Sequence, residues 1–209
     1  MDIKRKPLFN ENGVPHNVYY YPYDVSAYAD WSANTYRASF DTRGGSNVSS
    51  TTVKYDTTFK MPTPTRTGYS FGGWKYKGQS VSNSFTWKYD ENVEFTATWI
   101  ANNYRVTLDV NGGTVNASSI NTIYDNKYEL PTPTRTGYTF LGWSFDGGDT
   151  YVDIRGVWKY TNITYLVACW SANDYFVTFN LNGGSGAYND YYTYDSFYTL
   201  PTPTRTGYT

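Results

Sequence analysis

Cysteine and histidine are almost missing from this chain, which holds one of each, Cys169 and His16. A single cysteine excludes an intrachain disulfide, and without a cysteine–histidine cluster the usual zinc spacings cannot arise. Charge of one sign is scarce as well. Seventeen Lys plus Arg against 18 Asp plus Glu leave a net −1 with no long run of either, so the basic stripe of a nucleic-acid binder is absent. No apolar run approaches the roughly 20 residues of a membrane-crossing helix. The start, Met1-Asp2-Ile3-Lys4-Arg5-Lys6, is basic but has no apolar core after it, so it does not read as a signal peptide. The last residues break off inside a repeated pattern, as expected of a piece of a longer protein.

What the chain has in excess is aromatic residues: 24 Tyr, 11 Phe and 7 Trp, 20% of all positions. It also has a repeat. Pro-Thr-Pro-Thr-Arg-Thr-Gly-Tyr starts at Pro62, Pro131 and Pro201, at spacings of 69 and 70 residues. A motif returning at a near-constant interval marks one unit copied in series rather than a single large domain. Units of about 70 residues build only a marginal core. With no staple available, buried rings must carry the stability.

The same landmarks recur in each copy. Alternating strands open the unit: Tyr36, Ala38 and Phe40 against Arg37, Ser39 and Asp41, then Tyr104, Val106, Leu108 and Val110, then Tyr175, Val177, Phe179 and Leu181. Period two with one apolar face predicts a half-buried strand. Glycine pairs follow at Gly44-Gly45, Gly112-Gly113 and Gly183-Gly184, and are expected to turn the chain at positive φ. A second strand is expected to carry Tyr55-Asp56, Tyr124-Asp125 and Tyr194-Asp195 and to end at Met61, Leu130 and Leu200. The prolines then force an extended or irregular connection with at most one helical turn. After Gly68-Tyr69 and Gly137-Tyr138 comes a third apolar segment reaching Trp74 and Trp143. The unit closes on strands ending at Trp99 and Trp170. In the third copy the sequence stops after Arg205, Gly207 and Tyr208. The organisation expected is a remnant or diverged copy over residues 1–34, complete repeats over 35–102 and 103–173, and the first half of another over 174–209. Four-residue joints such as Ile100-Ala101-Asn102-Asn103 leave little room for independent tumbling.

Taken together, strand plus Asn-Gly-Gly, Tyr-Asp, Leu-Pro-Thr-Pro-Thr-Arg-Thr-Gly-Tyr-x-Phe-x-Gly-Trp and a closing Ala-x-Trp resemble the B-repeat of internalins, the Listeria–Bacteroides repeat, from Tyr36 to Thr209. The resemblance implies a mainly β chain of tandem β-grasp-like units with little or no helix, in an elongated array incomplete at both ends. It implies bacterial surface proteins, extracellular or in the cell wall, in which such copies form a stalk between a head and an anchor. It also implies a non-enzymatic segment with no cofactor and no metal. The partners expected are neighbouring repeats and a host glycan or surface protein, with no nucleic acid and no membrane span in this segment.

Each candidate site has a plainer reading beside it. Arg66, Arg135 and Arg205 could present guanidinium groups to a ligand, but a residue that recurs with the whole unit more readily covers a nearby Tyr or Trp ring. Tyr19, Tyr20, Tyr21, Tyr191 and Tyr192 could stack on sugars, although strand alternation turns about half of all tyrosines inward. His16 stands alone, and Cys169 alternates with the inward Ala168 and Trp170 and has no histidine near it, so no thiolate is expected. Asp41 and Asp109 become Asn180 in the third copy, which cannot serve as an acid. The match of Leu130-Pro131-Thr132-Pro133-Thr134 to a sorting signal fails at its fourth and fifth positions.

Overall fold

A computed structural model describes residues 31–209; the expectations for Tyr19, Tyr20, Tyr21, His16 and most of residues 1–34 lie outside them. The chain packs as two compact units, one reaching to Pro64 and including Gly73–Thr98, the other joining Thr65–Gly72 to Trp99–Thr209. Among the described residues there is no helix.

Copy one holds β1 (Thr35–Asp41), β2 (Thr51–Lys54), β3 (Thr58–Lys60), β4 (Tyr69–Tyr76), β5 (Gln79–Val81), β6 (Ser84–Thr86) and β7 (Val93–Ala101). Copy two repeats the series with β8 (Asn103–Asp109), β9 (Ser119–Ile123), β10 (Lys127–Glu129), β11 (Tyr138–Ser144), β12 (Tyr151–Val152), β13 (Arg155–Val157) and β14 (Tyr165–Ala172). The first sheet runs β2-β1-β7-β4-β5 and the second, read in the same sense, β9-β8-β14-β11-β12. Each has a small ribbon beside it, β3 with β6 and β10 with β13. In both sheets the opening strand pairs antiparallel with its hairpin partner and parallel with the closing strand. A mixed sheet with a parallel central pair is the β-grasp-like frame, here with an extended proline segment where a helix could cross. The third copy contributes β15 (Asp174–Val177) and β16 (Asp190–Thr193), an antiparallel ribbon.

Alternation explains which side chains go in. Ala38, Val53, Val93, Phe95 and Ala97 are buried in copy one, and Val106, Leu108, Leu166 and Ala168 in copy two. The largest buried groups are indoles: Trp74 and Trp87, then Trp143 and Trp158. The cluster round Trp143 and Trp158 draws only on residues 104–170. A buried N–H needs an acceptor, and the octapeptide supplies it. Trp74 Nε1 donates to the Pro62 carbonyl at 2.7 Å and Trp143 Nε1 to that of Pro131 at 2.8 Å. The prolines thus stop the ladder and cap the indole with the same residue.

Three sequence expectations need correction. Tyr55-Asp56 and Tyr124-Asp125 do not lie within one second strand; they form a turn that splits it into β2 and β3, or β9 and β10, with Asp56, Asp125 and Asp195 at φ of 64°, 65° and 59°. Aspartate tolerates this left-handed region better than most side chains. In the glycine pairs only the first member, Gly44, Gly112 or Gly183, has positive φ; the other left-handed residue is the one before it, Arg43, Asn111 or Asn182. Gly113 and Gly184 are small for want of space. A Cβ on Gly113 would meet Trp170 at 2.6 Å and the Thr134 carbonyl at 2.8 Å, and one on Gly184 the Thr204 carbonyl at 2.9 Å. Finally, the joints are one residue long: β7 and β8 are separated by Asn102 alone, and β14 and β15 by Asn173.

The copies differ in length between β4 and β5, where Lys77 and Gly78 make a two-residue turn with both φ angles positive, as a tight hairpin needs. Between β11 and β12 a longer loop is tied down by Ser144 and Asp146. Backbone N–H of Thr150 and the Ser144 hydroxyl hold the Asp146 carboxyl down at about 2.

Candidate functional site

The octapeptide ends in Arg-Thr-Gly-Tyr, and this tetrad is a turn. Tyr69 N–H donates to the Arg66 carbonyl at 3.1 Å, Tyr138 to Arg135 at 3.2 Å and Tyr208 to Arg205 at 3.1 Å. Gly68, Gly137 and Gly207, third in each turn, sit at φ of 78°, 76° and 79°. A type II turn demands positive φ there, which selects glycine. Arg and Tyr are therefore brought together at the first and fourth positions. The guanidinium carbon of Arg66 lies 4.0 Å above the Tyr69 ring centre, that of Arg135 3.8 Å above Tyr138, and that of Arg205 4.2 Å above Tyr208. Arg135 and Arg205 also donate to the carbonyls of Asn111 and Asn182 at 3.0 Å. Each of these two arginines thus fastens the glycine turn to the octapeptide.

Beyond this turn lies the next copy. Within the second unit, the Gly68 Cα faces the Tyr124 ring so closely that a Cβ would meet it at 2.3 Å; Gly137 stands to Tyr194 in the same way, at 2.4 Å. The rings of Tyr69 and Tyr124 meet edge to face at 5.5 Å, and those of Tyr138 and Tyr194 at 5.6 Å. Tyr69 Oη donates to Asp125 Oδ2 at 2.6 Å, and Tyr138 Oη to Asp195 Oδ2 at 3.0 Å. Lys159 pairs with Asp125 and reaches over the Tyr124 ring. The Lys159 ammonium first, and then the Tyr69 hydroxyl, hold the Asp125 carboxyl below its ordinary value. The same hydrogen bond from the other side raises the Tyr69 hydroxyl.

The two separator residues complete the joint. Asn102 N–H donates to the Gly68 carbonyl at 2.9 Å while its own carbonyl accepts from Tyr124 at 3.0 Å; Asn173 does the same with Gly137 at 2.9 Å and Tyr194 at 2.8 Å. Their side-chain oxygens accept from Ser70 and Thr139 at 2.7 and 2.6 Å. Sequence reasoning passed over these asparagines. The signal was there, since Ala-Asn recurs at Ala33-Asn34, Ala101-Asn102 and Ala172-Asn173; Asn34 likewise accepts from Tyr55 N–H at 2.8 Å.

The remaining candidates stay apart. Trp99 and Trp170 close their strands over Phe71 and Phe140, at 5.4 Å in both cases. Cys169 is half-buried and sits near Tyr151 and Gly148. Asp41, Asp109 and Asn180 each accept from the backbone N–H two residues on, at 3.0, 2.8 and 3.1 Å. An Asx side chain of either kind can do this, so the third copy keeps this turn bond with Asn. Tyr192 is half-buried and meets the Tyr198 ring at a tilt, 4.9 Å away, whereas Tyr191 is 66% exposed and lies against Phe176 at 5.1 Å. No group of three or more His, Cys, Asp or Glu able to hold a metal occurs among the described residues. No helix there is long and apolar enough to cross a membrane.

Two copies with one strand order, each built round paired tryptophans, define a tandem β-repeat protein. The chain belongs to the Listeria-Bacteroides repeat domain family, whose model matches residues 36–98, 104–168 and 175–209. An inferred membrane protein of Evansella cellulosilytica is 32% identical over 191 residues, 86% of this chain and 27% of its own length. Internalin H of Listeria monocytogenes is 33% identical over 147 residues, 66% of this chain and 26% of its own. The chain spans about a quarter of the length of these curated relatives.

Proposed function

We propose that this segment is a non-enzymatic spacer of a bacterial surface protein, in which copies laid in series hold another domain away from the envelope. The observation that carries the reading is the recurrence of one joint: Gly-Tyr of an octapeptide against Tyr-Asp of the following copy, twice, with the same Asn between them. A latch between copies is useful to a stalk, which must carry geometry from one module to the next, and has no obvious use in an enzyme. The names of the relatives, a membrane protein and an internalin, agree with a surface location. Changing the number of copies in the full-length protein tests the idea. The distance of its outermost domain from the envelope, measured by fluorescence localisation, should grow by a constant step per copy; an unchanged distance overturns it.

A second reading, adhesion to a host glycan or surface protein, is favoured by one observation. Phe176 and Tyr191 pair on the outward side of the β15–β16 ribbon and both are exposed, whereas copies one and two carry Arg37 and Arg105 in the Phe176 position. A glycan screen of the intact chain that gives no hit, together with an unaltered cell-attachment count for Tyr191→Ser, would remove this reading.

A further inference from the structure

The joint between copies occurs twice within the second unit, and each of its halves occurs once more without the other. At the first joint the receiving half is Asn102, Tyr124, Asp125 and Lys159; copy one carries the same set as Asn34, Tyr55, Asp56 and Lys88. The Asn34 carbonyl accepts from Tyr55 N–H at 2.8 Å, as that of Asn102 does from Tyr124 at 3.0 Å. Asp56 and Asp125 share φ of 64° and 65°. Each carboxyl takes its lysine on Oδ1, and the ammonium lies 5.4 or 5.6 Å over the tyrosine ring. The difference is at the other oxygen. Asp125 Oδ2 accepts from Tyr69, and the Asp125 side chain is 31% exposed. Among the described residues no tyrosine donates to Asp56, whose side chain is 63% exposed. The residues before Asn34 contain no Gly-Tyr. The entering half also stands alone once. Arg205-Thr206-Gly207-Tyr208 makes the same turn as its two predecessors, with the guanidinium over the Tyr208 ring. A Cβ on Gly68 or Gly137 would strike a tyrosine of the following copy, but one on Gly207 meets nothing within 4 Å, and Tyr208 is 67% exposed.

We propose that the Tyr55–Asp56 socket of copy one is a docking site for a second molecule of this chain, which enters by its Arg205–Tyr208 turn. The two joints inside the chain identify the occupant. There the same turn already meets an equivalent socket, by close fit at the glycine, edge to face at the tyrosines and by a hydrogen bond to the aspartate. In the docked pair Gly207 comes against the Tyr55 ring and Tyr208 Oη donates to Asp56 Oδ2. Both halves hold their conformation before they meet, which lowers the ordering cost of association. Because the two surfaces differ, the contact is head to tail: each docked pair keeps one open half at either end, and association continues beyond a dimer. The inference uses the joint geometry alone and is independent of the spacer reading.

The test is sedimentation velocity of the 209-residue, 23.9 kDa chain over a series of concentrations. The weight-average mass should rise with concentration and pass that of two chains. Asp56→Gly removes the acceptor while suiting the left-handed backbone, and Tyr208→Ala removes the entering ring. Both side chains are exposed in the single chain, so both variants should fold. Each alone should weaken association roughly tenfold or more. An equimolar mixture of the two should restore it and stop at a dimer, since the intact turn of Asp56→Gly fits the intact socket of Tyr208→Ala. A monomer at every concentration overturns the proposal. So does association that both variants leave unchanged, which would place the contact on other exposed rings. A mixture that associates no more strongly than its components overturns it as well.

Discussion

In the first complete copy phenyl rings pack round the two indoles: Phe40 lies 5.0 Å from Trp74 and 5.9 Å from Phe95, and Phe85 lies against Trp87. The second copy puts Leu108, Leu166 and Gly156 in those places and keeps the same strand order. What the copies hold in common is therefore a small set of fixtures and not the filling: the Arg-Thr-Gly-Tyr turn and the proline carbonyl on the tryptophan. Cores accept different apolar residues if volume and pattern are kept. A turn with φ near 80° or a carbonyl 2.7 Å from an indole has far less latitude.

The largest expected effect is from Trp143→Ala, which removes a fully buried ring and leaves the Pro131 carbonyl without its donor. The cost should be about 3–5 kcal/mol, measured by denaturant unfolding, and should fall on copy two. Equal loss of copy-one signals, read from Trp87 resonances, would break the comparison by making the two interiors one. Next comes Gly113→Ala, where the new methyl would press on Trp170 and the Thr134 carbonyl; about 1–3 kcal/mol is expected. Set against Gly156→Ala in the same copy, where a Cβ makes only ordinary contact with Tyr128 at 3.5 Å, it separates a glycine that has no room from one that tolerates a methyl. Arg135→Ala removes the guanidinium from over Tyr138 and its bond to Asn111, and should cost about 1 kcal/mol; an unchanged melting temperature would count against a structural role for this arginine.

Smallest is the acid response of the joint. The Asp125 carboxyl is lowered in the folded chain, so its contribution is present above the ordinary carboxylate value near ~3.9 and is lost as pH falls through the lowered one. Asp125→Asn should therefore flatten the decline of the melting temperature below about pH 4. An identical decline would mean that the carboxylate contributes nothing, a known outcome for exposed pairs.

Much of this frame could be read from residues alone, because period two and the Trp landmarks report burial directly. Tyr36, Ala38 and Phe40 show their side of the sheet by alternation, as do Val93, Phe95 and Ala97. Three features escaped for a common reason: their cause lies in a partner distant in sequence. Tyr124-Asp125 has strand-like neighbours, and only the Gly68-Tyr69 turn facing it shows why a left-handed aspartate is placed there. The second glycines Gly113 and Gly184 are set by Trp170 and by threonine carbonyls, which no local pattern announces. That Gly156 stands opposite Tyr128, as Phe85 stands opposite Phe59, is seen only once the ladder fixes the register. The third copy shows the limit of local rules from the other side. Its Arg205–Tyr208 turn forms as in the other copies, yet Leu200 is 61% exposed where Leu130 is at 1%, since β11 and β14 have no counterparts within this sequence to cover it.

The octapeptide is the fastening between consecutive copies, and Gly137→Ala tests that most directly. Its methyl would strike the Tyr194 ring and its backbone would be strained at φ 76°. Hydrogen exchange should quicken at the Asn173 and Tyr194 amides, which bridge the joint, while the amides of β8 and β14 inside copy two keep their protection. Unchanged exchange at Asn173 and Tyr194, or a uniform quickening through the whole of copy two, would contradict it.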